Sequence, residues 1–165
     1  MLIRRIAISL VLALAVTLPA SAQGFEKGWA AYKRGDYVTT VIEWRALAEM
    51  GDVSAQINLG VIFRTGYGVA QDYAKAVKWY SKAAAQENAN AQYSLGLMHF
   101  NGNGVVQDLV LAHLWFSLSA DKGNKYGSEA RDLAAMRMTR FQTAEAQKLV
   151  RAWREKHPKK RPSKK

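Results

Sequence analysis

The sequence repeats itself. Residues 58–80, NLGVIFRTGYGVAQDYAKAVKWY, align without gaps on residues 94–116, SLGLMHFNGNGVVQDLVLAHLWF, and nine of the 23 aligned positions are identical. The repeat distance of 36 residues lies in the range of periods that is typical of solenoids and related repeat architectures. The chain is therefore predicted to use one structural unit several times.

Each copy has apolar residues at the spacing of amphipathic α-helices. Short polar residues that commonly cap helices stand where the helices are predicted to begin: Asp36, Asp52, Asp72, Asn88 and Asp108. Two glycines, Gly60 and Gly96, lie inside predicted helices and are expected to allow close approach of a neighbouring helix. Four more lie between helices, where a tight connection needs positive φ: Gly66, Gly68, Gly102 and Gly104.

The predicted unit is a helix, a tight turn, a second helix and a Gly-rich loop. One such pair is too small to bury its own apolar face, whereas stacked pairs share a continuous core. We therefore predict an all-α fold, an α-solenoid of stacked antiparallel helix pairs with about seven helices. Full units are predicted at residues 37–71 and 72–107, and a partial third unit with a C-terminal cap at residues 108–155.

The last predicted helix begins at a capping box formed by Thr139 and Gln142. Its position after the last repeat predicts that it closes the open end of the stack, as the ends of solenoids require. The apolar residues expected to cover that end are Phe141, Ala144, Leu149, Val150 and Trp153.

The dispersed pattern AQxxLGxxxxxGxGVxQDxxxAxxWY/F resembles the Sel1-like repeat, a relative of the tetratricopeptide repeat, and the resemblance covers about residues 25–155. It implies a helical scaffold that binds other proteins or peptides, often as an adaptor in envelope processes. Some members of that family are rich in cysteine, whereas this chain has none. Activities tied to those members are therefore not implied for it.

No catalytic, cofactor-binding or metal-binding residues are predicted, and the chain is expected not to be an enzyme. The Gly-x-Gly segments lack the third glycine and the preceding strand of a dinucleotide-binding fingerprint. His99 and His113 replace Phe63 and Val77 of the preceding copy, so they are expected to be core or edge residues. A metal site formed by His99 and His113 is the alternative for this pair.

Trp44, Trp79 and Trp115 recur at one repeat position, on the first helix of each predicted unit. One interpretation is packing between repeats, and the other is an aromatic ledge for a peptide partner. In the second interpretation, lysines of the same helix form a basic rim that favours acidic groups, and the next unit is less polar. The candidate partner-binding residues are Trp44, Lys75, Lys78, Trp79, Lys82, Leu111 and Trp115.

The first residues are typical of a secretory signal peptide. Arg4 and Arg5 precede an apolar run at residues 6–18, and residues 20–22 form an A-x-A cleavage site. Cleavage is predicted after Ala22, so that the mature chain begins at Gln23 and is periplasmic or secreted. The apolar run is too short to span a bilayer, and no later transmembrane segment is predicted.

The formal net charge is +11, and much of it lies in residues 156–165, which are predicted to form a disordered basic tail. The folded part is expected to have no basic stripe of its own, and nucleic-acid binding is not expected. The tail is either a solubilising end or a contact for anionic surfaces. Its basic residues include Lys159, Lys160, Arg161, Lys164 and Lys165.

These observations favour an exported, non-enzymatic scaffold or adaptor that binds a protein or peptide partner in a groove of the helical repeat. The alternative is a protein that binds anionic envelope surfaces, such as lipid headgroups or cell-wall polymer, through its basic C-terminal tail.

Overall fold

The computed structural model describes residues 20–158, and their side chains from residue 22 onwards. Within that range the chain forms eight α-helices and no strand, one helix more than the approximate number predicted. The helices are α1 (Ala20–Lys33), α2 (Tyr37–Glu49), α3 (Val53–Thr65), α4 (Tyr73–Ala85), α5 (Ala89–Asn101), α6 (Leu109–Asp121), α7 (Gly127–Met136) and α8 (Arg140–Lys156).

Two predicted segments fall largely outside the described residues. Most of the predicted signal peptide, residues 1–19, is one of them, and residues 159–165 of the predicted tail are the other. Lys156, the first residue of the predicted tail, is instead the last residue of α8, and His157 stacks on Trp153. Helix α1 runs across the predicted cleavage point between Ala22 and Gln23. None of the helices α1–α8 combines the length and the hydropathy that crossing a membrane requires.

The predicted helix caps are confirmed. The side chain of Asp52 accepts a hydrogen bond from the backbone N–H of Ala55 at 2.7 Å. The same arrangement, with a bond to the N–H three residues ahead, recurs at Asp36, Asp72, Asn88 and Asp108. At the last helix, Thr139 and Gln142 form both bonds of the predicted capping box. Helices α2–α6 and α8 thus begin where a side chain accepts from the free N–H groups of the first turn, whereas α7 begins without a side-chain cap.

Neighbouring helices pack on each other in chain order from α1 to α7, which forms the predicted all-α solenoid. The most extensive packing in the repeats is between α1 and α2, between α3 and α4, and between α5 and α6. The main apolar core runs from α2 to α5, and its largest fully buried side chains include Trp44, Leu59, Tyr80, Leu95 and Met98. Two smaller clusters join α6 to α7 and α6 to α8.

The two glycines inside helices allow close packing, as predicted. A Cβ atom on Gly60 would lie 2.5 Å from the ring of Tyr80, and one on Gly96 would lie 2.6 Å from the ring of Phe116. Tyr80 and Phe116 are themselves equivalent residues of the two copies, so the same ring-on-glycine contact occurs in each. The loop glycines Gly66, Gly68, Gly102 and Gly104 have φ angles of 69°, 72°, 72° and 72°.

The prediction that the last helix covers the open end of the stack is wrong, and two of the five residues named for that role are exposed. Val150 is buried, and Leu149 and Trp153 pack beside it, but Ala144 is exposed and Phe141 is 89% exposed. The reason is that α8 packs on α6 and does not continue the stack beyond α7. The outer face of α7 therefore stays open, and Leu133 and Met136 on that helix are also exposed.

Candidate functional site

The three tryptophans lie mainly in the core, but they do not share one repeat position. The N-caps of α2 and α4, Asp36 and Asp72, are 36 residues apart, which places Trp44 in register with Tyr80. Trp44 is 1% exposed and Trp79 is 4% exposed, and both belong to the main apolar cluster. Trp115 is half-buried and contacts Trp153 of α8, with ring centroids 5.2 Å apart in an edge-on arrangement. The three rings therefore do not form the exposed ledge considered above, because neighbouring helices cover them.

The three lysines proposed as a basic rim are all exposed on α4. The ammonium groups of Lys78 and Lys82 lie over the ring of Trp79, at 5.8 and 4.8 Å from its centroid. The ammonium of Lys75 pairs with Asp72 at 2.9 Å. It also lies over the ring of Phe63, at 5.4 Å from the centroid. We call this set the lysine ridge; each of its three charges lies above an aromatic ring, an arrangement that cation–π attraction favours.

The candidate partner-binding residues of α6, Leu111 and Trp115, pack against another helix of the protein. Leu111 and Leu118 occupy the positions that Lys75 and Lys82 have in the preceding copy, and they pack with Trp115 against α8. The two copies differ here because α8 covers this face of α6, whereas the corresponding face of α4 is exposed. Leu111 and Trp115 are therefore not free surface for a partner.

A pocket between α1 and α3, which we call the aromatic pocket, was not predicted. Its volume is about 240 Å³, and its most open aromatic residues are Trp29, 38% exposed, and Tyr67, 55% exposed. The rings of Trp29 and Tyr32 stack with a centroid distance of 5.4 Å and an angle of 6° between their planes. The lining residues are Trp29, Tyr32, Trp44, Asn58, Val61, Ile62, Thr65 and Tyr67.

The rings of the aromatic pocket are held in place by one another. The ring of Tyr32 stacks on Trp44 at 5.9 Å, and the ring of Tyr67 contacts Tyr37 at 5.0 Å, edge on. A side-chain hydrogen bond with Tyr67 raises the pKa of Tyr37 to about 12, from the ordinary phenol value of 10. The site is therefore a largely preformed, apolar surface of Trp and Tyr rings.

Polar groups at the aromatic pocket are few. The hydroxyl of Thr65 donates to the carbonyl of Val61 in its own helix at 2.8 Å. The amide of Asn58 has no hydrogen-bond partner among residues 20–158. It is thus free to bond the backbone of a bound segment, because an amide can both donate and accept.

Two reasons explain why the sequence did not predict this pocket. Trp29 and Tyr32 lie before the first full copy, so they have no counterpart in the repeat alignment. Tyr67 lies inside the alignment, but Asn103 replaces it in the second copy. The available signal was the aromatic spacing of Phe25, Trp29 and Tyr32 along one helix, together with an aromatic residue in the first Gly-x-Gly loop.

The described residues contain no group of three or more histidine or acidic side chains that could hold a metal ion. His99 and His113 lie on different helices, and burial is the main cause that lowers the pKa of each. In His99, the Nδ1 atom is buried without a hydrogen-bond partner. The burial of His113 and the half-burial of His99 agree with the expectation that both are core or edge residues.

A family model described as "Sel1 repeat" matches residues 53–88 and 89–124. Each matched segment groups α3 with α4, or α5 with α6, which are two of the three most extensively packed pairs. This grouping differs from the unit boundaries predicted above and places Trp79 and Trp115 on the second helix of each segment. Among curated proteins, no match was found.

Solved structures with repeats of this type are similar to the chain. A Sel1 repeat protein from Oxalobacter formigenes is 31% identical with a TM-score of 0.62, over 68% of this chain and 88% of that one. A protective antigen of uropathogenic Escherichia coli with an SLR fold is 28% identical with a TM-score of 0.75, over 88% of this chain. The alignment spans about a third of that antigen, 34% of its length.

The similarity extends to the fold of a cysteine-rich relative. The cysteine-rich protein B of Helicobacter pylori is 18% identical with a TM-score of 0.53, over 66% of this chain and 92% of that one. At this identity the likeness shows the fold alone. This chain has no cysteine, so no disulfide contributes to its helical stack.

Proposed function

The chain belongs to the Sel1 repeat family, and from this premise we propose that it is an exported, non-enzymatic scaffold that binds a segment of a partner protein in the aromatic pocket. Proteins of this family are commonly scaffolds for protein interactions and are typically not catalytic. The partner segment would anchor a side chain between α1 and α3.

The observation that carries this proposal is the exposure of Trp29 and Tyr67 at a preformed apolar pocket. Tryptophan and tyrosine dominate the binding energy of protein interfaces, since they bury much area at a low cost in side-chain entropy. The pocket volume of about 240 Å³ is below the range that small-molecule sites usually occupy. A pocket of this size is suited to one anchoring side chain of a longer segment.

Charge supports a partner with acidic groups. The lysine ridge on α4 is exposed, and Lys78 and Lys82 form no ion pair among residues 20–158, whereas Lys75 pairs with Asp72. Complementary charge mainly raises the rate of association and orients the partner, while apolar anchors supply most of the affinity. The acidic residues of the partner are therefore proposed to select the binding face rather than to hold the complex together.

Site-specific cross-linking in intact cells tests the proposed pocket. A photoreactive residue in place of Val61, which lines the pocket, is expected to capture a partner. The same residue in place of Phe141, which is exposed on α8, is the matched control and is expected to capture little. Tyr67→Ala in the Val61 background should reduce capture by about tenfold, as loss of a hot-spot ring commonly does.

Equal capture from both positions, or no effect of Tyr67→Ala on a variant that is shown to be folded, would sink the proposal. Tyr67 is a suitable choice because it lies in a loop and is 55% exposed, so its truncation leaves the main core intact. Trp29→Ala is a second test, but its ring also supports Trp44, and its effect on folding must be measured first.

Export is the second part of the proposal, and its support is the sequence of residues 1–22. Expression of the full chain in a bacterial host is expected to yield an envelope or secreted fraction that starts at Gln23. N-terminal sequencing and intact mass of the purified protein measure this directly. A cytoplasmic product that retains Met1 would contradict it.

A further inference from the structure

A second pocket, which we call the basic pocket, lies between α6, α7 and α8 and has a volume of about 410 Å³. The sequence predicted no basic surface in the folded part, yet three arginines from two helices line this cavity. They come together because α8 turns back onto α6 beside α7. The lining residues are His113, Ser117, Arg131, Gln147, Val150, Arg151 and Arg154.

Two of these guanidinium groups already have acidic partners at the surface. Arg154 forms a bidentate pair with Asp121, with nitrogen–oxygen distances of 2.7 and 2.9 Å. Arg131 pairs with the neighbouring Asp132 at 2.8 Å. Arg151 has no ion-pair or hydrogen-bond partner among residues 20–158. The pocket therefore holds one uncompensated positive charge beside two that are partly compensated.

The inner wall of the basic pocket is polar and buried. His113 is 7% exposed, and the hydroxyl of Ser117 donates to the backbone carbonyl of His113 at 2.7 Å. Burial lowers the pKa of His113, and the charge of Arg131 lowers it further, while Asp132 raises it. An anion that entered the pocket would act in the opposite direction to Arg131 and would favour protonated His113.

The repeat explains why a cavity exists at this place. Arg131 stands where the preceding copy has Leu95, which is fully buried between helices. In the last unit no further helix pair buries Arg131 as Leu95 is buried. Helix α8 packs on α6 and leaves a gap next to Arg131. A core position of the repeat has thus become one wall of a charged, solvent-filled cleft.

We propose that the basic pocket binds the terminal phosphoryl group of a larger molecule. Guanidinium groups present paired N–H donors that match the oxygens of a phosphoryl group, and Arg151 is free to make such a pair. A phosphate monoester carries close to two negative charges at neutral pH, and arginines converge on the site from both α7 and α8. The cavity is open and larger than one phosphoryl group, which leaves room for the molecule that carries it. This site is separate from the aromatic pocket and does not depend on the proposed function.

NMR of the histidine ring signals tests this site in the whole protein. Titration with glycerol 1-phosphate is expected to shift the His113 signals to saturation and to raise the pKa of His113. Sodium chloride at equal ionic strength is expected to produce neither effect, because screening alone does not place an anion beside the ring. Inorganic phosphate, which lacks the carrier, is expected to bind no more tightly than the ester.

Arg151→Gln is expected to weaken ester binding by about tenfold or more, since it removes a charge-assisted hydrogen bond. The matched control is Arg137→Gln, because Arg137 lies over the ring of Phe100, at 4.7 Å, and does not line the pocket. The proposal is overturned if chloride reproduces the shifts, if the ester is excluded while phosphate binds, or if Arg151→Gln binds as tightly as the unaltered protein.

Discussion

Replacing Trp44 by alanine is expected to lower the free energy of unfolding by about 3–5 kcal/mol. The ring is 1% exposed and packs against three aromatic rings of α1, those of Phe25, Trp29 and Tyr32, at centroid distances of 5.8, 6.2 and 5.9 Å. Its Nε1 also donates to the carbonyl of Phe25 at 3.3 Å.

The surroundings of Trp44 cannot close over the gap at low cost. Gly28 on α1 is already so near that a Cβ atom there would lie 2.5 Å from Nε1 of Trp44. The backbone of α1 is thus fitted to the indole, and truncation leaves a cavity between α1 and α2. Because α1 and α2 form the first pair of the stack, truncation of Trp44 is expected to unfold this pair before the later repeats.

Urea denaturation followed by far-UV circular dichroism measures the effect on Trp44→Ala. Phe141→Ala is the matched control: its ring is 89% exposed, so its loss is expected to change the free energy of unfolding by less than about 0.5 kcal/mol. A loss below about 1 kcal/mol for Trp44→Ala would show that the ring is not the packing element described here.

Replacing Gly104 by alanine is the second change with a large expected effect. It is expected to lower the free energy of unfolding by about 2–5 kcal/mol. The φ angle of Gly104 is +72°, a region that side chains with Cβ disfavour. The added Cβ would also lie 2.4 Å from the carbonyl carbon of Tyr73 and 2.7 Å from the amide nitrogen of Ala74. These are backbone atoms at the start of α4, so they cannot move away without shifting that helix.

Gly123→Ala separates the two causes. Gly123 has φ of +87°, but an added Cβ there would have no atom within 4 Å. The free energy of unfolding of this variant is therefore expected to fall by about 1–2 kcal/mol, the cost of placing a residue with a Cβ atom at positive φ. Thermal or urea denaturation of both variants gives the comparison, and equal losses would show that the contact between the second Gly-rich loop and α4 contributes nothing.

The contact at Gly104 also explains why the loop sequence recurs. Gly68, its equivalent in the first copy, lies against the ring of Tyr37 at the start of α2, and Tyr37 and Tyr73 are 36 residues apart. Each Gly-rich loop thus packs on the first residue of a helix in the preceding unit. The Gly-x-Gly pattern that could suggest a phosphate loop is a device for stacking repeats.

Much of the fold could be predicted, because the signals are local. The cap of each repeat helix bonds an N–H only three residues ahead, as Asp72 does with Lys75. The packing role of Gly60 and Gly96 can be predicted because both copies keep a residue that is unfavourable inside a helix. The repeat distance of 36 residues then predicts that successive helix pairs stack in the same way.

The candidate site was predicted less well. The lysine ridge is exposed as expected, but Trp44 and Trp79 are buried, and Leu111 and Trp115 are covered by α8. The replacement of Lys75 by Leu111 predicts a less polar surface at this position of the next unit. It marks the face on which another helix packs, and the identity of that helix is not visible in the repeat itself.

The sequence by itself determined the class of the fold, the ends of the repeat helices and the register in which repeats stack, since each depends on residues a few positions apart or one period apart. Only the tertiary structure decided where α8 packs, and with it the basic pocket between α6, α7 and α8 and the open face of α7. It also decided that Tyr67 meets Trp29 and Tyr32 in one pocket. These surfaces join residues far apart in the chain, and their meeting depends on the packing of whole helices rather than on any local preference.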